Sequence, residues 1–66
     1  MAEIYDALTG QQITAGLQGC NMCDEALQVA CRIADERGHD VQLDDDDGQW
    51  IVHPRANGRR EPADPV

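Results

Sequence analysis

Four consecutive aspartates, Asp44 to Asp47, lie between Leu43 and Gly48. A turn at this point needs one aspartate and one glycine, so turn formation does not account for the other acids. Alternate residues of a strand lie about 6.6 Å apart on one face, because the rise is about 3.3 Å per residue. Charges recur about every 3.4 Å of axis along a nucleic-acid strand, so this interval matches about two phosphate steps. The run suggests carboxylates that replace phosphates, and the alternative is a solvated turn without a partner.

Three further acids are expected near this run, at the end of the predicted helix and before the next strand. Together with the four aspartates they would form one continuous acidic ridge that binds a basic partner. The predicted partner-binding residues are Asp35, Glu36, Asp40, Asp44, Asp45, Asp46 and Asp47.

Three cysteines offer a different chemistry. Cys20 and Cys23 form a CxxC, and Cys31, His39 and His53 could add ligands. A zinc site needs four convergent donors, and no second CxxC is present. Cys23 also falls on the apolar face of the predicted helix, which favours packing. A thiol-redox role stays open, although the βαβ unit that usually carries the motif is missing. We expect no cofactor.

The sequence supports a catalytic or a calcium-binding site less well than it supports a cysteine-based site. His39 beside Asp40 suggests acid–base chemistry, but the chain has no serine and no phosphate-binding loop. Aligning an EF-hand loop on Gly48 places Leu43 at its first position and Pro54 at its twelfth, where carboxylates are required. The sequence therefore predicts a protein that is not an enzyme and has no catalytic residues.

The elements that must position these residues amount to one small domain. A chain of 66 residues buries only about 60% of its unfolded surface. Asn21 is a good helix N-cap and Gly38 a good stop. Between them lies one apolar face, formed by Met22, Cys23, Ala26, Leu27, Ala30, Ile33 and Ala34. The pattern predicts an amphipathic helix packed on a sheet.

Short strands are predicted on both sides of the helix. Thr9-Gly10 indicates a turn within residues 2–14, and residues 15–19 are expected to form a loop. After the helix, Asp47-Gly48 predicts a hairpin. We favour a register that places Leu43 opposite Val52, and a three-residue turn would place it opposite Ile51 instead. Either way the sequence predicts an α+β fold, with one helix on an antiparallel sheet of three to four strands.

The favoured register also predicts the two faces of the hairpin. Val41, Leu43, Trp50 and Val52 would share the face toward the helix, and Asp44 and Asp46 would lie on the opposite face. Residues 1–54 are predicted to form the domain. The tail that follows, residues 55–66, contains two prolines and three arginines, and Pro54 directly precedes it. It has few apolar residues to bury and is predicted to be disordered.

The overall charge limits the partners. Thirteen acids and five arginines give a net charge of −8, and lysine is absent. Such a surface repels nucleic acid and anionic membranes and attracts basic proteins. No apolar run approaches the ~20 residues of a membrane span, and the N-terminal residues lack the pattern of a signal peptide. A cytoplasmic location is expected.

The chain resembles the small acidic anti-CRISPR proteins of phages and mobile elements. The shared features are the short length, the strong acidity, the predicted single helix on a small sheet and the exposed run Asp44 to Asp47. The resemblance covers the whole chain but includes no diagnostic motif, and no binding residue transfers by position. It implies a non-catalytic inhibitor that mimics DNA. The implied partner is a basic nucleic-acid-binding protein in a host bacterial cell, such as the PAM-reading large subunit of a type I CRISPR surveillance complex.

Overall fold

A computed structural model describes residues 2–17, 25–46 and 48–66. It contains β1 (Ala2–Asp6), β2 (Gln12–Leu17), α1 (Glu25–Arg37), β3 (Val41–Asp45), β4 (Gly48–Val52) and β5 (Asp64–Pro65). The strands form one antiparallel sheet in the order β2-β1-β3-β4-β5, and α1 packs on one face of it. The predicted α+β class is confirmed, with five strands where three to four were expected.

The core lies between α1 and the inner face of the sheet. Alternation places Ile4, Val41, Leu43 and Val52 on that face, all buried. The helix contributes Ala26, Ala30 and Ala34, spaced one turn apart and also buried. Small side chains let the helix axis approach the strands closely. Trp50 packs against this core only half-buried, on the face predicted for it.

The helix ends where the sequence indicated. Gly38 has a φ of 73°, and its amide donates to the carbonyl oxygen of Ala34 at 2.8 Å. A left-handed residue at this position is readily supplied by glycine. The predicted N-cap, Asn21, lies outside the described residues, together with Met22 and Cys23. None of the described helices has the length and apolarity to cross a membrane.

Two predictions about the strands need correction. The expected loop at residues 15–19 is partly strand, because β2 continues to Leu17. The hairpin pairs Leu43 with Trp50 and Asp45 with Gly48, so neither predicted register is found. The favoured register was wrong by two residues. A shift of two leaves every side chain on the same face, which is why the predicted faces are nevertheless found.

The C-terminal residues, which composition predicts to be disordered, lie against the body in the structure. Asn57 and Gly58 have φ angles of 54° and 75° between the bridged residues Ala56 and Arg59. Asn-Gly with two positive φ angles is typical of a tight hairpin turn, a signal that the proline and arginine content obscured. The chain then returns to the sheet, where β5 pairs with β4.

Gly48→Ala tests the observed hairpin. The φ of Gly48 is +147°, and an added Cβ would meet no atom within 4 Å, so the cost is conformational. We expect a loss of about 1–3 kcal/mol in the free energy of unfolding, measured by urea denaturation. D-alanine, introduced by chemical synthesis, favours positive φ and should restore stability. Equal stability of both forms would contradict this geometry.

Candidate functional site: an acidic outer face

The sheet face turned away from α1 carries a network of acids and neutral donors. We call this surface the outer face; its central residues are Glu3, Tyr5, Gln42, Asp44 and Gln49. The register places Glu3 directly opposite Asp44 and Tyr5 opposite Gln42 across β1 and β3, and Asp44 opposite Gln49 across β3 and β4. These side chains come from three strands, because β1 lies beside β3 although a helix separates them in sequence.

Neutral groups hold the two carboxylates of the outer face in place. The Asp44 carboxylate accepts hydrogen bonds from Gln42 Nε2 at 2.8 Å and from Gln49 Nε2 at 3.4 Å. The Tyr5 hydroxyl donates to Glu3 Oε2, and this hydrogen bond raises the pKa of Tyr5. Because tyrosine and glutamine are uncharged donors, they fix the orientation of the acids without offsetting their negative charge.

The turn adds acids at one end of this face. Because side chains alternate along a strand, the Asp45 side chain lies on the face of the sheet that α1 covers. Its Oδ1 accepts a hydrogen bond from the Gly48 amide at 3.0 Å. Asp46 is exposed in the turn. Asp47, also predicted to bind a partner, lies outside the described residues. The pleat therefore directs Asp44 and Asp45 to opposite faces, and only Asp44 joins the outer face.

The three remaining predicted residues lie at the opposite end of β3. Asp40 precedes that strand and contacts His53 Nδ1 at 3.0 Å, while Glu36 is exposed on α1. Asp35 binds Arg60 Nη2 at 2.6 Å and accepts from the Arg55 amide at 2.8 Å. The hydrogen bond from Arg60 lowers the pKa of Asp35, and the hydrogen bond from the Arg55 amide lowers it further by a smaller amount.

The predicted continuous ridge is therefore divided into two groups. The strand rise places Asp40, just before β3, about 13 Å from Asp44 near the other end of that strand. The group at the helix end includes Asp35 and Asp40, which are engaged by the chain's own side chains. The outer face and the turn form the other group. Glu3 belongs to it and was missed, since nothing local in the sequence pairs β1 with β3.

A second cluster missed from the sequence surrounds Asp6, whose side chain is only 2% exposed. Its carboxylate contacts His39 Nε2 at 2.7 Å and Arg37 Nη1 at 2.9 Å. Its Oδ1 also accepts from the amides of Leu8 at 2.8 Å and Thr9 at 3.1 Å. These hydrogen bonds lower the pKa of Asp6 to about 2, and the contact with His39 has the largest effect. Burial acts in the opposite direction but is outweighed.

The cluster explains where His39 lies. Its ring faces a buried carboxylate that also caps the turn after β1, so it links that turn to the end of the helix. This is a structural role for a histidine that the sequence raised as an acid–base candidate.

Of the three cysteines, the described ranges include Cys31. Cys20 and Cys23 lie outside the described residues. Cys31 is a half-buried free thiol on α1, and burial raises its pKa. Within residues 2–17, 25–46 and 48–66, no group of three or more histidine, cysteine or acidic side chains is placed to hold a metal ion.

Comparison with known proteins adds no relative. No protein-family model, curated protein or solved structure matches the chain. The class of protein defined by the structure itself is a small α+β domain with an acidic sheet face.

Proposed function

We propose that the chain is a non-catalytic inhibitor that occupies the nucleic-acid groove of a basic protein. The outer face and the adjoining turn would contact arginine and lysine side chains that otherwise bind phosphates. Glu3, Asp44 and Asp46 would be its central acids. Inhibition would result from occupancy, because the groove could no longer accept DNA.

The observation that carries this proposal is the way in which Glu3 and Asp44 are held. Acids directly opposite each other across two strands repel and are destabilising. Here the pair is fixed by Tyr5, Gln42 and Gln49, all neutral donors. Acids elsewhere in the chain, such as Asp6 and Asp35, are instead paired with arginine. A pair of carboxylates that neutral donors of the described residues hold in place favours binding to a cation outside the chain, at little cost in ordering entropy.

The dimensions of the molecule suit such a role. Its longest extent is 31 Å, which corresponds to about nine phosphate intervals of one DNA strand. The resemblance to small acidic anti-CRISPR proteins suggests the partner: the PAM-reading large subunit of a type I surveillance complex, in the cytoplasm of a bacterial host. Under this proposal the chain would block binding of target DNA.

A binding experiment with the purified surveillance complex tests the proposal. We expect the immobilised chain to capture the complex, and duplex DNA containing a PAM to displace it competitively. The affinity should fall roughly tenfold or more between about 50 mM and about 200 mM salt, since charge pairs dominate the contact. Capture that DNA does not displace would contradict phosphate mimicry and favour a generic acidic interaction domain.

The small zinc or thiol-redox module remains the alternative from a different class. Metal analysis of the purified chain distinguishes it, because a structural site would retain about one zinc per chain. No capture of the complex together with stoichiometric zinc would replace the proposed function with this one.

A further inference from the structure

His53 lies between two carboxylates that come from different parts of the chain. Its Nδ1 is 3.0 Å from Asp40 Oδ1, just before β3, and its Nε2 is 2.8 Å from Asp64 Oδ2, in β5. The side chain of His53 is 21% exposed, so the ring is largely shielded from solvent. Asp64 connects it to the last, two-residue strand.

Only the protonated ring can satisfy both contacts. An ionised carboxylate accepts hydrogen bonds and donates none, whereas a neutral imidazole has one donor nitrogen and one acceptor nitrogen. The imidazolium donates from both. Loss of the proton would therefore leave one carboxylate facing a nitrogen lone pair. Consistent with this geometry, Asp64 and then Asp40 raise the pKa of His53 against the opposing effect of burial.

The C-terminal residues are attached to the backbone of β4 over a short segment. Strand β5 pairs at two positions, Trp50 with Pro65 and Ile51 with Asp64, and the Val66 amide donates to the Gln49 carbonyl oxygen at 2.9 Å. A strand of this length is marginal by itself.

Arg60 forms an attachment just upstream. Its Nη1 donates to the His53 carbonyl oxygen at 3.0 Å, and its Nη2 contacts Asp35 on α1. Because arginine stays charged throughout the neutral range, this anchor does not change as His53 titrates.

We propose that protonation of His53 controls the docking of residues 61–66 on the edge of β4. With the ring charged, the segment covers that edge as β5. With the ring neutral, the segment detaches beyond Arg60 and exposes the backbone of Gly48–Val52. An uncovered strand edge is a surface to which an extended peptide can add. This device is independent of the proposed function.

The direction of the pH dependence follows from the charge. A histidine whose folded-state pKa is raised contributes its full stabilisation below the ordinary value of 6.5. That contribution disappears as the pH rises through the folded-state pKa. Docking should therefore be complete in mild acid and weaken above neutrality, with a midpoint above 6.5 set by His53.

An NMR titration of the full chain tests the device. The ring protons of His53 report its charge, and the amide of Val66 reports docking through its protection from exchange. Trp50, the only tryptophan, lies opposite Pro65 and reports the same event by fluorescence. We expect Val66 protection to fall about two- to fivefold across the His53 titration, because the Asp64 carboxylate is largely exposed, while the amide of the buried Leu43 stays protected. Unchanged Val66 protection and Trp50 emission across that titration would overturn the proposal.

Asp64→Asn separates this device from general charge effects. It should bring the His53 midpoint toward the ordinary value and remove the pH dependence of Val66 protection. Glu61→Gln removes one exposed acid from the same segment and should leave both unchanged. An Asp64→Asn chain with the wild-type midpoint would also overturn the proposal.

Discussion

Replacement of Asp6 by asparagine is expected to lower the melting temperature by roughly 10 °C or more, because a small domain loses about 4–8 °C per kcal/mol of stability. Asparagine has nearly the same shape and can still accept from the amides of Leu8 and Thr9. It removes the charge that faces Arg37 and His39. The amide nitrogen that replaces Oδ2 would face the Arg37 donor at a position that is almost fully buried, and a buried donor that meets another donor is costly. Differential scanning calorimetry at neutral pH gives the result.

The same substitution should also make the free energy of unfolding depend less on pH in the acid range. The pKa of Asp6 is lowered to about 2 in the folded chain, from an ordinary value of 3.8. A depressed carboxyl pKa contributes stability that is complete above the unfolded-state value and is lost as the pH falls through the folded-state value. The wild type should therefore lose stability more steeply than Asp6→Asn between about pH 4 and about pH 2.

Asp35→Asn is the matched control for this prediction. Asp35 also pairs with an arginine, but its side chain is 35% exposed and that of Arg60 25% exposed. Partly exposed ion pairs contribute little, so a decrease of a few degrees at most is expected. If Asp6→Asn and Asp35→Asn had equal effects and the same pH dependence in the acid range, the cluster around Asp6 would not be the stabilising centre that its contacts indicate.

Charge reversal on the outer face is expected to abolish binding to the proposed basic partner without unfolding the chain. Asp44→Lys combined with Asp46→Lys should weaken the affinity by roughly 100-fold or more, because each new cation would face a cation of the groove. The first substitution places an ammonium group opposite Glu3, so an attractive cross-strand pair replaces a repulsive one. Stability should therefore be retained while binding is lost, although the contacts from Gln42 and Gln49 disappear.

Glu25→Lys combined with Glu61→Lys provides the control with the same change in net charge. Both residues are exposed and neither belongs to the strands that form the outer face: Glu25 begins α1 and Glu61 lies in the C-terminal segment. A general electrostatic attraction would be weakened equally by both double variants. Docking through the outer face predicts near wild-type affinity for the control, measured by titration calorimetry at one fixed salt concentration. Equal losses would refute a specific acidic site.

Local pattern in the sequence was sufficient for the helix, its end at Gly38 and the two faces of the β3–β4 hairpin. These features depend on the spacing of neighbouring residues: a period near 3.6 for α1 and of two for the strands. The hairpin register was wrong because a slip of two residues keeps the same side chains buried, so the hydrophobic pattern could not choose between them. The Asn57-Gly58 turn was also encoded locally, yet composition alone pointed to disorder.

Contacts between distant residues were decided only by the tertiary structure. Glu3 meets Asp44 because β1 inserts between β2 and β3, and Asp6 meets Arg37 and His39 for the same reason. His53 joins Asp64 because the chain returns to the edge of β4. The sequence by itself determined how acidic the protein is and which residues are apolar. Which acids pair with arginine or histidine within the chain and which lie on the outer face depended on strand order, because strand order is set by packing of the whole core rather than by neighbouring residues.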